Sequence, residues 1–419
     1  MSSTKAIALK PKAVLAYCRE KGIRAVDLRF PDLGGRWKHV TFPVSALTES
    51  SFESGFGQEL MLRGVEGEAR EQMVLLPLSD ANYLDPLSEQ PTLVILASVH
   101  DALTRIESWM DSRAIAIRAT EYLRATGIAD EAFVRAIQPW TLVHATAASG
   151  ERADEPASRR FLSCGPDDLD FAFRCRLSSS AAEAGVSIER HYRGERASSE
   201  IVLGSLPLLE CCDDILMVRA MMDQLAVQHQ VALTTTGLFT STQWTLQKSG
   251  EGIFGSGMHT SSPSGVSELG WHAVGGILQH ASALAAIAMA CNASLGHMPE
   301  AASYPWRLAV ADAHPWSLCN IIYGANPPRS RAIEFRGAPA RSNPYLLQSA
   351  ILMAMIDGIQ NKTPMTGLDG GREIAAWNSG QIDRPPLVQA LSEDRDFLLA
   401  GSVFPESLLD WIAAALQTV

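Results

Sequence analysis

The sequence has little that would suit a secreted, membrane-bound or nucleic-acid-binding protein. Its seven cysteines are odd in number and, apart from the adjacent Cys211 and Cys212, widely spaced with no CxxC pair, which argues against a disulfide framework and a zinc site. Lysine and arginine number 35 against 46 acidic residues, which gives a net charge of −11. Nucleic acid and anionic membranes both require a positive surface, so neither is an expected partner.

Long apolar runs are also missing. A membrane-spanning helix needs roughly 18 or more apolar residues, and the apolar stretch 283–290 is too short. The segment Met1 to Lys12 is polar and lacks the apolar centre of a signal peptide, so we expect a cytoplasmic protein. The chain has 419 residues, 47% hydrophobic and 19% charged, which is typical of a folded protein with two or three domains.

The first hundred residues predict a small α+β domain. Helical spacing over 12–21 is followed by period-two alternation over 23–30 and again over 37–42, with a glycine-containing turn between them. This pattern predicts a helix and a β-hairpin. Two more β-rich segments, 73–78 and 92–99, complete a compact unit.

The remainder mixes helical and strand patterns, and residues 145–200 have the weakest pattern of all. The predicted elements are a helix over 102–127, a central strand over 133–143, a helix over 213–228, a strand-like segment over 231–244, apolar helices over 274–289 and 343–359, and a final helix over 406–416.

One glycine-rich segment ends in a histidine. Gly255 and Gly257 flank Ser256, and His259 follows two residues later. Glycine lets the backbone approach a ligand closely, and neutral imidazole is a common metal ligand. An isolated GSGMH is nevertheless more often a tight turn followed by an ordinary histidine, so the segment needs partners elsewhere in the chain.

Several segments supply a common context. They are IRAVDLRFPDLGG at 23–35, SDANYLDP at 79–86, DSRAIAIRATEYLRATGIAD at 111–130, GSGMH at 255–259, VGGILQHASAL at 274–284, AIEFR at 332–336, SNPYLLQSAILMAMIDGIQNK at 342–362 and DRDFLLAGSVF at 394–404. In order and spacing this set resembles bacterial glutamine synthetase across nearly the whole chain. The resemblance implies an α+β fold: a β-grasp N-terminal domain over 1–105 and a catalytic-type domain over 106–419. The latter would be a curved antiparallel sheet with flanking helices, without the family's C-terminal tail.

The resemblance also indicates which site positions have changed. The family phosphorylates a carboxylate with ATP and needs divalent cations held by several carboxylates. Its E-x-E pair matches Gln138 and Trp140, on either side of Pro139. Anchored on Gly237, two further glutamate positions match Ala232 or Leu233, and Thr240.

Other family positions have also lost their charge. The flap glutamate matches Ser303, and the arginines expected over 311–317 are absent. In the N-terminal domain a family substrate loop matches 58–62, where Glu59 is a candidate replacement for the loop's aspartate. The resemblance therefore implies that no catalytic set is intact.

A second group of family positions is partly kept. His259, Glu334 and Gln138 match a metal site, with the amide of Gln138 as its weakest ligand, and Gly255, Gly257 and Arg336 match a phosphate-binding region. The alternative for Glu334 and Arg336, two residues apart on one strand, is an ordinary ion pair on one face of the sheet.

These changes predict a glutamine-synthetase-like pseudoenzyme that binds or assembles rather than making glutamine. The alternative is an ATP-dependent carboxylate–amine ligase with another substrate and a reduced Mg²⁺ or Mn²⁺ site for ATP. The resemblance also implies a homo-oligomeric ring of six subunits, single or stacked as a dodecamer, or co-assembly with an active glutamine synthetase paralogue.

Overall fold

The computed structural model describes residues 10–64, 67–143, 161–165, 168–194, 198–255, 265–293, 307–311, 317–323, 331–364, 372–373 and 384–418. The helices in this part of the chain are α1 Pro11–Glu20, α2 Ser51–Ser54, α3 Ser112–Thr126, α4 Phe171–Glu183, α5 Leu208–Gln228, α6 Glu268–Gln279, α7 Ala281–Ala293, α8 Pro344–Gln360, α9 Arg384–Glu393, α10 Asp396–Leu399 and α11 Glu406–Thr418.

The strands run through the chain between these helices. They are β1 Ala25–Pro31, β2 Trp37–Pro43, β3 Phe56–Gly64, β4 Gly67–Leu84, β5 Thr92–Asp101, β6 Glu131–Val143, β7 Ile188–Arg193, β8 Ser199–Leu203, β9 Leu206–Pro207, β10 Ala232–Thr234, β11 Phe239–Lys248, β12 Glu251–Gly252, β13 Arg307–Ala311, β14 Ser317–Tyr323, β15 Arg331–Pro339 and β16 Arg372–Glu373.

The elements fall into two compact units. The first takes its described residues from 1–114, 140–203 and 214–234, and the second from 115–139, 204–213 and 235–419. The domain boundary expected between residues 105 and 106 stays a prediction.

A five-stranded sheet in the order β2-β1-β5-β4-β3 forms the first unit's main layer. The predicted hairpin is confirmed: β1 and β2 are antiparallel, with Ala25 opposite Pro43 and Pro31 opposite Trp37. Strand β5 lies parallel to β1. The segment 58–62, expected as a substrate loop, belongs instead to β3, paired along its length with β4.

The first unit also contains regular structure where the sequence pattern was weakest. Between 145 and 200 the described residues include α4 and the antiparallel pair β7 and β8. Helix α4 is rich in alanine and serine, and it buries Phe173, Leu177 and Ala181 on one side. Because this apolar stripe is narrow, the weak sequence pattern of 145–200 did not reveal the helix.

The second unit is built on a sheet whose strands follow the order β16-β13-β14-β15-β11-β6. Neighbours are antiparallel except β13 and β14, which are parallel. The central strand expected over 133–143 is confirmed as β6. Its burial alternates, with Val134 and Ala136 buried and Arg135 and Ile137 half-exposed, so β6 has one core face and one open face.

Particular residues set where helices of the second unit begin and where they break. Asn343 caps α8 by accepting hydrogen bonds from the backbone N–H groups of Tyr345 and Leu346, at 3.0 and 3.2 Å, and Pro344 occupies the first turn. The single helix expected over 274–289 is wrong, because the chain breaks at His280 between α6 and α7.

Helix α3 also starts later than expected. The prediction of helix from residue 102 is wrong, because Asp111 accepts hydrogen bonds from the N–H groups of Arg113 and Ala114 and starts the helix there. No single helix among the described residues is long and apolar enough to cross a membrane, and only the bent pair 268–279 and 281–290, which meet at 61°, reaches that length together.

Candidate functional site

Glu334 lies on β15 at the centre of the second unit's sheet. Its side chain is buried, with Oε1 accepting from the Ser241 hydroxyl at 2.6 Å and Oε2 from the Asn320 amide at 2.9 Å. Asn320 is the cross-strand neighbour of Glu334 on β14. Both carboxylate oxygens are therefore held by neutral donors of the protein.

Gln138 and Thr240 form a separate pair, and both side chains are buried. The Gln138 amide donates to Thr240 Oγ1 at 2.8 Å, and that hydroxyl donates to the Ile137 carbonyl at 2.7 Å. Ile137 is the cross-strand partner of Ser241, whose hydroxyl reaches Glu334. Because successive side chains on a strand point to opposite faces, Gln138 and Thr240 lie on the core face and Glu334 on the open face.

The two faces of β6 bear on the family's acidic pair. Ile137 lies on the face of Glu334, because its cross-strand partner Ser241 donates to that carboxylate, whereas Gln138 lies on the other face. The assignment of Gln138 and Trp140 to the acidic pair stays a prediction.

Trp140 belongs to the core of the first unit. It is fully buried, its ring lies 6.2 Å from that of Phe173 on α4, and its indole N–H has no hydrogen-bond partner among the described atoms. Trp140 therefore packs in an aromatic contact of the first unit, and its assignment to a family site position stays a prediction. Ala232 is exposed opposite Val143, and Leu233, the other candidate for that position, is half-buried opposite Leu142.

Arg336 follows Glu334 by two residues and is half-exposed. It lies in a β-bulge, since Thr242 pairs with Phe335 whereas Thr240 pairs with Ala338. Within the described chain Arg336 makes no ion pair with Glu334, so the ordinary ion pair considered from the sequence is not formed there.

The remaining predicted residues belong only in part to the described chain. Gly255 forms an isolated bridge to Val266, whereas Gly257, His259 and Ser303 lie outside the described residues. In the part of the chain that is described, no three His, Cys, Asp or Glu side chains come together to hold a metal ion. Cys319, beside Asn320, is deeply buried, and its burial raises the pKa of the thiol, which the charge of Glu334 raises further. It therefore stays protonated and is a poor nucleophile or metal ligand.

Comparisons with known proteins agree with the resemblance seen in the sequence. The family described as "Glutamine synthetase, catalytic domain" matches residues 110–368. This chain belongs to the glutamine synthetase family. It is 28% identical to the glutamine synthetases of Aquifex aeolicus and of Frankia alni, in each case over 96% of this chain and 94% of the relative. Glutamine synthetase of Plasmodium falciparum superposes with a TM-score of 0.79 at 15% identity, over 99% of this chain and 96% of that one. The predicted α+β fold is confirmed.

Membership implies divalent cations, and the described residues of the open face do not fit them. Mg²⁺ and Mn²⁺ prefer several carboxylate or water oxygens. Here Glu334 is already hydrogen-bonded through both oxygens, and Gln138 faces the core. The open face of β6 and β11 presents Arg135, linked to Gln243 at 3.4 Å, and otherwise neutral side chains near Glu334.

Ser241 and Asn320, the partners of Glu334, were not predicted from the sequence. The only signal for them is a polar side chain at alternate positions of an otherwise β-rich segment. Such a signal gives the face of a strand but not its neighbour, because neighbours depend on pairing between strands distant in sequence.

Proposed function

We propose that this chain is a glutamine-synthetase-like pseudoenzyme, a binding or assembly component that does not make glutamine. One observation supports the proposal: the buried Glu334 carboxylate is bound by Ser241 and Asn320, and on that face β6 carries Ile137 rather than an acidic residue.

Electrostatics makes this arrangement unsuitable for phosphoryl transfer. Catalysis of that reaction depends on cations and donors that neutralise developing charge on phosphate oxygens. One such contact is typically worth about 3–4 kcal/mol, or two to three decades of rate. Several missing contacts would remove most of the acceleration, although such losses are not additive.

The test is ATP-dependent release of phosphate by the full chain with glutamate, ammonium and either Mg²⁺ or Mn²⁺. We expect no release above a protein-free blank, under conditions in which an active glutamine synthetase turns over. Replacing ammonium with a panel of primary amines extends the test to other acceptors. Turnover that Glu334→Gln abolishes and the surface variant Glu406→Gln leaves intact would contradict the proposal.

A second candidate is an ATP-dependent carboxylate–amine ligase with a reduced metal site. Arg336 favours it, since this half-exposed cation has no ion pair in the described chain and lies two residues from Glu334. If this chain is such a ligase, ATP with Mg²⁺ or Mn²⁺ should raise the melting temperature of the chain. Arg336→Gln should remove that rise. Arg395→Gln is the matched control, because it removes an exposed guanidinium elsewhere in the same unit.

We also propose that the chain assembles into a homo-oligomer, a ring of six subunits or two such rings stacked as a dodecamer. Support comes from its family membership together with its coverage of nearly the full length of its relatives. Native mass spectrometry of the purified chain should show these multiples, and a stable monomer at micromolar concentration would contradict the proposal.

A further inference from the structure

A cavity of about 430 Å³ lies in the first unit, and Glu334 and its partners are not among its lining residues. Strands β1 and β2 form one wall, the turn between β4 and β5 another, and helix α5 a third. Its lining residues are Asp27, Arg29, Trp37, His39, Thr41, Asp85, Ser88, Gln90, Thr92, Ala220 and Gln224. This set is called the β1–β2 cavity below.

A network of charged groups is fixed in its wall. Arg29 donates from Nε to Asp27 at 2.7 Å, from Nη1 to the Tyr83 hydroxyl at 2.7 Å and from Nη2 to Asp85 at 2.8 Å. Burial favours the neutral form of Asp27, but hydrogen bonds from its neighbours, led by Thr41, and the charge of Arg29 hold its pKa below the ordinary value. Asp27 is therefore ionised, and the guanidinium is shared between two carboxylates.

The other groups bonded to Asp27 leave acceptors toward the cavity. Thr41 donates its only hydroxyl proton to Asp27 at 2.6 Å. His39 Nδ1 lies 2.8 Å from the same oxygen, and because that oxygen can only accept, Nδ1 carries the proton. In neutral His39 the exposed Nε2 is then a lone-pair acceptor.

Ser88, Thr92 and Gln224, which also line the cavity, likewise donate protons to groups of the protein. Thr92 donates its hydroxyl proton to the Gln90 carbonyl at 3.0 Å, so Ser88, 3.0 Å from Thr92 Oγ1, must donate to that oxygen. Both hydroxyl protons are consumed within the protein. Gln224 directs an amide N–H to the Leu87 carbonyl at 3.3 Å, and its own carbonyl oxygen is left as an acceptor.

The net charge and the lining of the β1–β2 cavity both favour a cationic ligand. Asp27, Asp85 and Arg29 sum to −1 when His39 is neutral. Trp37 adds an aromatic side chain to the lining, and its buried indole N–H has no hydrogen-bond partner among the described atoms. An acceptor-rich cavity with one net negative charge and an aromatic side chain is the environment that binds an organic ammonium ion.

We propose that the β1–β2 cavity binds a small organic monocation, a primary ammonium compound of about ten non-hydrogen atoms that fits a cavity at the small end of the usual range for ligand sites. The ammonium group would meet the acceptors of Ser88 and Gln224 in the field of the Asp27 and Asp85 carboxylates, and its organic portion would lie against Trp37. This proposal is independent of whether the chain turns over ATP.

The experiment is calorimetric titration of the full-length chain with phenethylammonium, its neutral analogue 2-phenylethanol and the anion 3-phenylpropionate. We expect the ammonium ion to bind, the alcohol to bind at least about tenfold more weakly and the carboxylate not to bind, because charge-assisted hydrogen bonds distinguish the three. Equal affinities for ammonium and alcohol, or no ammonium binding at millimolar concentration, would overturn the proposal.

Variants place the binding in this cavity. Ala220→Leu fills the space from α5 without touching the charged network and should weaken binding at least about tenfold. Ala220→Ser is its small control and should bind as the parent does. Gln224→Met keeps the volume, removes an acceptor and should weaken binding severalfold. Glu334→Gln should leave binding unchanged; if it abolishes binding while Ala220→Leu does not, the ammonium ion binds at the other site and the proposal is wrong.

Discussion

At the scale of single residues, the environment of Glu334 decides what its carboxylate can do. Two neutral donors compensate its burial, so the site is satisfied without a cation. A buried carboxylate that loses one donor keeps the cost of its desolvation, whereas an exposed one regains water.

We therefore expect Ser241→Ala to lower the free energy of unfolding by about 1–3 kcal/mol, because Oε1 of Glu334 would lose its donor. Urea unfolding followed by fluorescence measures the change. Ser392→Ala removes a hydroxyl from the exposed face of α9 and is the control, expected to change stability by less than about 0.5 kcal/mol. Equal effects of the two variants would show that the Ser241 contact is unimportant.

The two faces of β6 give a second test at this scale. Trp140→Glu would place a carboxylate in a fully buried aromatic cluster and should cost at least about 3–5 kcal/mol. Ile137→Glu would place the same group on the half-exposed open face and should cost about 1 kcal/mol. Melting temperatures of the two variants compare these costs, and the reverse order would show that the two faces are assigned wrongly.

At the scale of elements, two features of the second unit stand out. His280 lies at the break between α6 and α7, with Nδ1 2.8 Å from Asp394 and Nε2 2.9 Å from Asp357 of α8. Its ring stacks on Phe397 with centroids 3.9 Å apart. Burial favours neutral imidazole, but the hydrogen bonds to Asp394 and Asp357 outweigh it and raise the pKa above the ordinary 6.5.

This gives stability a definite dependence on pH. Because the pKa of His280 is raised on folding, its contribution is complete below about pH 6.5 and is lost as the pH rises through the folded value. Denaturant midpoints of the parent should therefore fall relative to those of His280→Gln between mildly acidic and alkaline pH. Parallel pH profiles of the two proteins would show that the imidazolium is not involved.

The second feature is the close approach of α6 and α8 through Gly276 and Gly358. A Cβ at 358 would collide with the His272 carbonyl oxygen and with the backbone of Gly276. Gly358→Ala should cost at least about 1–3 kcal/mol, because backbone cannot yield as a flexible side chain does. Gly252→Ala, at a glycine with open space around it, is the control and should be nearly neutral in thermal unfolding.

The elements themselves were predicted unevenly. The hairpin of β1 and β2, strand β6 and helix α8 carry strong local patterns, so their existence followed from the sequence. Helix α4 did not, because its buried apolar stripe of Phe173, Leu177 and Ala181 lies within an alanine- and serine-rich segment. The faces of β6 could not be fixed either, since alternation shows that two faces exist but not which one the core occupies.

At the scale of the whole molecule, family and fold were predictable because eight motifs recur in order over nearly the full chain. The site was less so. The bond of Gln138 to Thr240 could not be read from the sequence, and the contacts of Glu334 depend on three strands far apart in sequence.

Co-assembly with an active glutamine synthetase belongs to this scale too. If this chain enters such a ring, co-expression of the two proteins with different tags should recover both on either affinity resin. Mixing them after separate purification is the control for subunit exchange. If each resin recovers only its own tagged protein, co-assembly is excluded and the ring proposal is limited to copies of this chain.

Strand β6 has a consequence for how this lineage could change. Residues that pack into the core occupy alternate positions of the strand, and residues of the open face occupy the positions between them. A substitution on the open face therefore leaves the core contacts of β6 in place. Side chains of the open face can change one at a time while the strand remains folded.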